Sequence, residues 1–260
     1  MTSAELRVVQ RRGTLALSGR EVRRVVTLWT QTILPPAATG LLFLAVFGGA
    51  LGGRIRVIER IDYLDFILPG LLVMTVAGQS FVNNSTSLFQ AKNEGYIDDV
   101  LTSPLRPWQL AVAYMTGGLV RGLLAAAVVA LVAASFTDGI RNVALAAIAL
   151  LLTGLLFSAL GVITGVWAES FDQHAFVANL VITPLALVGG VFYSARTLSE
   201  PWSTLTRVDP LYYLVDVTRA GTAGFEESSV WLSLTVAALA ALAAFGAATA
   251  LLARGWRLKP

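Results

Sequence analysis

The first chemical signal is a set of polar residues inside an apolar stretch. Thr75, Gln79, Asn83, Ser87 and Gln90 follow one another at steps of four, four, four and three. That spacing holds them on one face of a helix. Lipid cannot hydrogen-bond such groups, so the face has to meet another helix or a wet path. Two uses fit: ties between helices, each worth only about 0.6 kcal/mol on average, or the lining of a path. Asn179 and Thr183 make a smaller version of the stripe, followed by Pro184. A proline releases the carbonyl one turn earlier, which suits a broken helix beside a substrate path and equally a static kink. Arg121 stands in another apolar run, flanked by Gly117, Gly118 and Gly122. A charge at mid-membrane depth costs about 2.5–3.5 kcal/mol on insertion scales. It therefore faces protein or water, as an anchor or as part of transport, and the glycines let a neighbouring helix come close.

Other chemistry is missing. Nucleotide hydrolysis in the usual form needs a glycine-rich loop ending in Gly-Lys-Ser/Thr, but the lysines Lys92 and Lys259 follow Ala91 and Leu258. One histidine, His174, and no cysteine exclude a zinc cluster of the usual kind and any disulfide. Asp98 and Asp99 are adjacent, so on a helix they share no face and make a poor carboxylate pair. No catalytic site and no metal site is expected in this chain.

The elements that must position these residues are long apolar helices. Fifty-six per cent of the residues are hydrophobic and 13 per cent are charged, against about 25 per cent charged in soluble domains. The fold class is an all-α membrane protein, read as one transmembrane domain over residues 1–260. Six spans are predicted at about 27–51, 66–89, 109–135, 143–167, 174–195 and 229–253, each near the length a bilayer needs. The first apolar run is too long for a signal peptide and is read as a retained span. With the amino terminus inside, the inner segments hold eleven basic residues and the outer segments seven, the bias being strongest at the two ends of the chain. This puts both termini on the inner side, in membrane lipid and away from nucleic acid.

Three segments lie outside the spans. Residues 3–24 form a basic, partly amphipathic approach that could lie in the membrane surface. In the inner loop, Ile97, Val100 and Leu101 fall on one face of a short helix that Pro104 ends, with Glu94, Asp98 and Asp99 supplying charge. In the outer segment 196–226, Ser199 before Glu200-Pro201 and Asp209 before Pro210 read as helix starts, and Gly221 reads as a stop.

These stretches carry a resemblance. Trp29–Pro36, Phe66–Gly70, Ile97–Pro104, the Gly117–Gly122 run, Gly189–Ser194 and Asp209-Pro210-Leu211-Tyr212-Tyr213 are similar to the ABC type-2 transporter permeases. The likeness is strongest to the YadH-like branch and more distant to the daunorubicin-exporter permeases. Asp209 stands where that pattern has asparagine, and Asp98-Asp99 where it has glutamates. The resemblance implies an amphipathic amino-terminal helix, six spans, an inner coupling helix after the second span and short re-entrant helices before the sixth. It implies two permease copies with two ATPase subunits that hold ATP and Mg, in the inner (plasma) membrane. The second and fifth spans would flank the path at the dimer axis, which puts Thr75, Gln79, Asn83, Ser87, Asn179 and Thr183 beside it. The face of Ile97, Val100 and Leu101 would dock into the ATPase, steered by Glu94, Asp98 and Asp99. The expected function is export of an amphipathic drug or lipid. An ion-gradient carrier is the alternative, but no Asp or Glu lies well inside a predicted span to serve one.

Overall fold

A capping box starts the first helix: the Thr2 hydroxyl accepts from the Glu5 N–H, and the Glu5 carboxylate accepts from the Thr2 N–H at 2.7 Å. The computed structural model describes residues 2–46, 57–58, 61–137 and 139–255. Helix α1 (Ser3–Thr27) is continuous across the whole amphipathic approach. It breaks at Leu28, and α2 (Trp29–Leu44) follows at once, with Pro35 and Pro36 inside it. Residues 47–51 of the predicted first span lie outside the described residues, as do Arg54, Arg56, Arg60, Arg257 and Lys259.

A two-residue strand pair, β1 (Val57–Ile58) and β2 (Ile61–Asp62), precedes α3 (Tyr63–Asn93). Asp62 caps α3 through the Leu64 N–H. With 31 residues, α3 is about 46 Å long at 1.5 Å per residue. That exceeds a hydrocarbon core of about 30 Å, so the helix carries its last turns, with Lys92, out of the membrane. There Lys92 donates to the carbonyls of Val166 at 2.6 Å and Ala168 at 2.8 Å. These close the end of α6 (Val143–Trp167), where a cation also suits the helix dipole.

Among the described residues five helices are long and apolar enough to cross a membrane: α3, α5 (Pro107–Ala133), α6, the broken helix Phe171–Val188 and α11 (Val230–Arg254). Helix α3 is the centre of the bundle, packed between α5 and α6; α1 and α2 lie on α5, and α11 on α6. Close approach needs small residues. At Gly161 of α6, a Cβ would come within 2.6 Å of the Phe81 carbonyl oxygen of α3.

The predicted fifth span, 174–195, is displaced to Phe171–Val188. It is α7 (Phe171–Val177), a π-helical turn (Ala178–Ile182) and α8 (Thr183–Val188). The wide turn accommodates Pro184, and the Thr183 hydroxyl donates back to the Ala178 carbonyl at 3.1 Å. Gly189 and Gly190 then end the helix, Gly190 at φ +73°.

Two short helices occupy the outer segment, α9 (Trp202–Val208) and α10 (Pro210–Thr222). Helix α9 starts after Pro201, later than the expected start at Ser199. The expected stop at Gly221 is corrected: α10 continues to Thr222, and the positive-φ residue beyond it is Gly224. Gly221 serves packing, because a Cβ there would come within 2.6 Å of the Ala146 nitrogen of α6.

Asp209 does cap α10, its Oδ1 accepting from the Leu211 N–H at 2.9 Å. Its Oδ2 is buried without a partner, and burial pushes this carboxyl up to about 6. The folded protein therefore holds the proton more tightly than the unfolded chain does. Stability is lost as pH rises from about 4 through about 6. Asparagine caps a helix as well as aspartate and has no charge to bury. Asp209→Asn should raise the thermal unfolding temperature in detergent at pH 7.5, by an amount equivalent to about 2 kcal/mol. The gain should shrink toward zero as pH falls to about 4.

Candidate functional site

The polar face of α3 meets α1, α5 and α6 in turn. Ser87 donates to the Glu21 carboxylate of α1 at 2.7 Å. One turn back, Asn83 accepts from Arg24 of α1 at both its carbonyl (3.0 Å) and its side-chain oxygen (3.1 Å). Another turn back, the Gln79 side-chain oxygen accepts from Nε of Arg121 on α5 at 2.9 Å. Thr75 turns its hydroxyl onto the Leu71 carbonyl of its own helix. The next face follows the same logic: Ser80 donates to the Gly118 carbonyl and Asn84 to the Ser158 carbonyl of α6. The glycines around Arg121 make room for these ties. At Gly117 a Cβ would meet that of Glu21 at 2.8 Å, and at Gly118 the Asn84 amide at 2.6 Å.

Asn83 and Ser87 are thus buried and bonded, whereas Thr75 and Gln79 are half-buried on the wall of a cavity of about 210 Å³. Pro35, Pro36, Thr39 and Gly40 of α2 face them across it. Asn179 and Thr183 are not brought to this seam. They lie on the exposed side of the Phe171–Val188 helix, with Phe176 and Leu180. The lone histidine, His174, is buried on the opposite side, 3.4 Å from the Ser85 hydroxyl.

Glu21 escaped the sequence reading. It is 1% exposed and accepts from Arg20 at 2.8 Å, with Arg24 at 3.4 Å. Its signal was its position. Leu17, Glu21 and Val25 lie at steps of four on the buried face of a helix whose other faces are basic and exposed. Arg20 in turn lies over the rings of Tyr96 and Tyr114, 5.1 and 5.9 Å from their centroids. That contact ties α1 to the inner loop.

The inner-loop helix α4 (Ile97–Leu101) forms where expected, and within this chain its apolar face turns toward the bundle. Ile97 is only 3% exposed and belongs to the bundle's own core, and Val100 and Leu101 pack against that core. Ile97 is taken up inside this chain, while Val100 and Leu101 stay half-buried. Glu94, Asp98 and Asp99 are the exposed residues. Three ties hold α4 in this pose: Ile97 in the core, the Lys92 clamp on α6, and Gln10 of α1 donating to the Pro104 carbonyl at 2.9 Å.

A second polar cluster, at the end of α3 opposite α4, is not legible in residue order. Arg219 of α10 is 1% exposed, pairs with Glu227 at 3.3 Å, and donates to the carbonyls of Phe66 (3.2 Å) and Gly190 (2.8 Å). Its guanidinium lies 3.9 Å from the Phe66 ring centroid. Asp216 accepts from the N–H groups of Glu227 and Ser228 and from the Ser233 hydroxyl of α11. Burial pushes the Glu227 and Asp216 carboxyls up and lowers Arg219 to about 10. One side chain thereby joins α3, the end of the broken helix and the loop before α11. The sequence shows only a stray outer arginine.

Apolar crossing helices joined by a charged seam define a multi-pass membrane protein. The comparisons with known proteins carry this further. The family model for ABC-2 type transporters matches residues 12–222. The inner membrane transport permease YadH of Escherichia coli (strain K12) is 34% identical over 209 residues, 80% of this chain and 82% of the relative. Nodulation protein J of Rhizobium meliloti (strain 1021) is 26% identical over 246 residues, 92% of each chain. Nodulation protein J of Rhizobium leguminosarum bv. viciae is 25% identical over 240 residues, 89% of this chain and 92% of the relative. The chain belongs to the ABC-2 type transporter family, as its transmembrane permease component rather than a catalytic enzyme, and the family implies an ABC ATPase partner.

Two substitutions test this geometry. Ile97→Ala should destabilise the isolated permease by about 2–4 kcal/mol, because it opens a cavity in a packed core. A residue reserved for docking would leave the unfolding temperature of the lone subunit unchanged. Arg219→Leu leaves Glu227 buried without its cation, at a cost of about 3–5 kcal/mol. It should lower the yield of folded, monodisperse protein on size-exclusion chromatography far more than Arg207→Leu, on an exposed face.

Proposed function

We propose that this chain is the permease of an ATP-driven exporter, carrying an amphipathic compound outward across the inner membrane. Two copies pair with two separate ATPase subunits, which bind ATP and Mg. The observation that carries this reading is α4. A helix of five residues has no stability of its own, yet this one is pinned on three sides and presents Glu94, Asp98 and Asp99 outward. A rigid acidic projection suits a motor protein's basic groove, where charge sets approach and specificity. Force applied there would reach Ser87 and Asn83 through Arg20, Glu21 and Arg24.

The second copy is assigned to the Phe171–Val188 helix. That helix is the least buried of the crossing helices and exposes Asn179, an amide that lipid cannot satisfy. Thr75, Gln79, Asn83, Ser87, Asn179 and Thr183 then flank the path when the seam opens. Both termini are cytoplasmic in this arrangement, and residues 1–260 act as one transmembrane domain. An ion-gradient carrier finds no support, because no described crossing helix holds an acidic residue at mid-depth.

Asp98→Lys combined with Asp99→Lys should reduce the ATPase recovered with tagged permease by about tenfold, equivalent to about 1.4 kcal/mol. The unfolding temperature of the permease alone should not move. Undiminished recovery and undiminished ATP-driven efflux would remove α4 from the coupling role.

A further inference from the structure

Arg121 has a charge that no described residue neutralises. It sits midway along α5 and is half-buried. Its one hydrogen-bond partner among the described residues is a neutral amide, Gln79, which occupies Nε and leaves both terminal nitrogens unused. No described carboxylate pairs with it. The nearby seam holds Arg20, Arg24 and Arg121 against the single carboxylate of Glu21, which already serves the first two.

A guanidinium at this depth is stabilised by an anionic partner, and no described crossing helix of a second copy holds an acidic residue at that depth to supply one. On the described crossing helices the acidic residues are Asp65 and Asp172, each in a first turn near a membrane surface. Among the described residues nothing supplies that counter-charge. Gln79, which accepts from Arg121 Nε, lines the cavity of about 210 Å³ between α2 and α3 beside Thr75 and Thr39. Arginine is suited to planar or tetrahedral oxyanions, which it grips with two parallel donors.

Resting on the exporter reading above, we infer that Arg121, with Gln79 and Thr75, receives the anionic headgroup of an amphiphile in mid-membrane, so that the cargo class is acidic amphiphiles bearing a phosphate, sulfate or carboxylate. The two unused guanidinium nitrogens donate to the oxyanion. Gln79 keeps the side chain in its rotamer. The apolar residues around the cavity accept the tail.

The test uses the permease with its ATPase, reconstituted in phosphatidylcholine vesicles. ATPase activity is measured with decyl phosphate, decyltrimethylammonium and decyl maltoside, each relative to the same protein's unstimulated rate. Decyl phosphate should stimulate and the other two should not. In Arg121→Gln, the half-maximal concentration of decyl phosphate should rise about tenfold or more, the loss of one charged hydrogen bond. Arg121→Lys, which keeps the charge, should fall between the two. Equal stimulation by the cationic or neutral amphiphile, or an unshifted Arg121→Gln, overturns the inference and leaves an ATP-driven exporter standing. No stimulation by any of the three, with no ATPase bound, overturns both readings. Should Arg121→Gln fail to fold, the headgroup selectivity of the wild-type complex decides. Adding phosphatidylglycerol to the vesicles separates the two sources of the anion. Stimulation of the wild type by this lipid, lost in Arg121→Lys and Arg121→Gln in the same order, places the headgroup on bilayer lipid, and its absence places it on the cargo.

Discussion

In lipid, a polar side chain has no partner except another part of the protein. The stripe on α3 imposes this constraint, and much of the bundle is arranged to meet it. Five polar residues on one helical face would be expensive in hydrocarbon. Arg24, Glu21 and Arg121 therefore come to Asn83, Ser87 and Gln79, and the glycines of α5 let them come close. The amphipathic α1 is consequently more than a surface anchor. It carries the only described carboxylate in the seam, buried at 1% exposure, and ends where α2 begins.

The seam also explains how a small inner helix can be mechanically useful. Helix α4 has too few residues to stand alone, but Ile97 anchors it in the same core that holds α3, α5 and α6. Arg20 bridges it to α1 through Tyr96. Helix α4 is thereby tied to the partners of the polar stripe. The outer end is built on the opposite plan, with one buried arginine joining three elements around Phe66. Packed cores and charge networks of this kind shift between discrete arrangements rather than deforming smoothly.

Much of this was legible in residue order alone. Long apolar runs determine crossing helices because no other backbone structure with such runs satisfies itself in lipid; Val143–Trp167 has the bounds its hydropathy predicts. The four-residue steps in α3 determine that its polar groups share a face, and Pro104 determines where the inner loop helix must stop. Family membership was legible in the same stretches. Direction and partnership were not. An apolar face on a short helix looks the same whether it turns toward its own core or toward another protein, so only the packed structure assigned Ile97 inward. Gly221 reads as a stop signal locally, yet tertiary contact with Ala146 gives it its use. Glu21 and Arg219 read as surface charges because charge is usually solvated. What buries them is the approach of segments distant in sequence, Ser87 in one case and Phe66 with Glu227 in the other. Periodicity is a property of one helix and is written in its residues. Pairing is a property of two, and only the tertiary structure decides it.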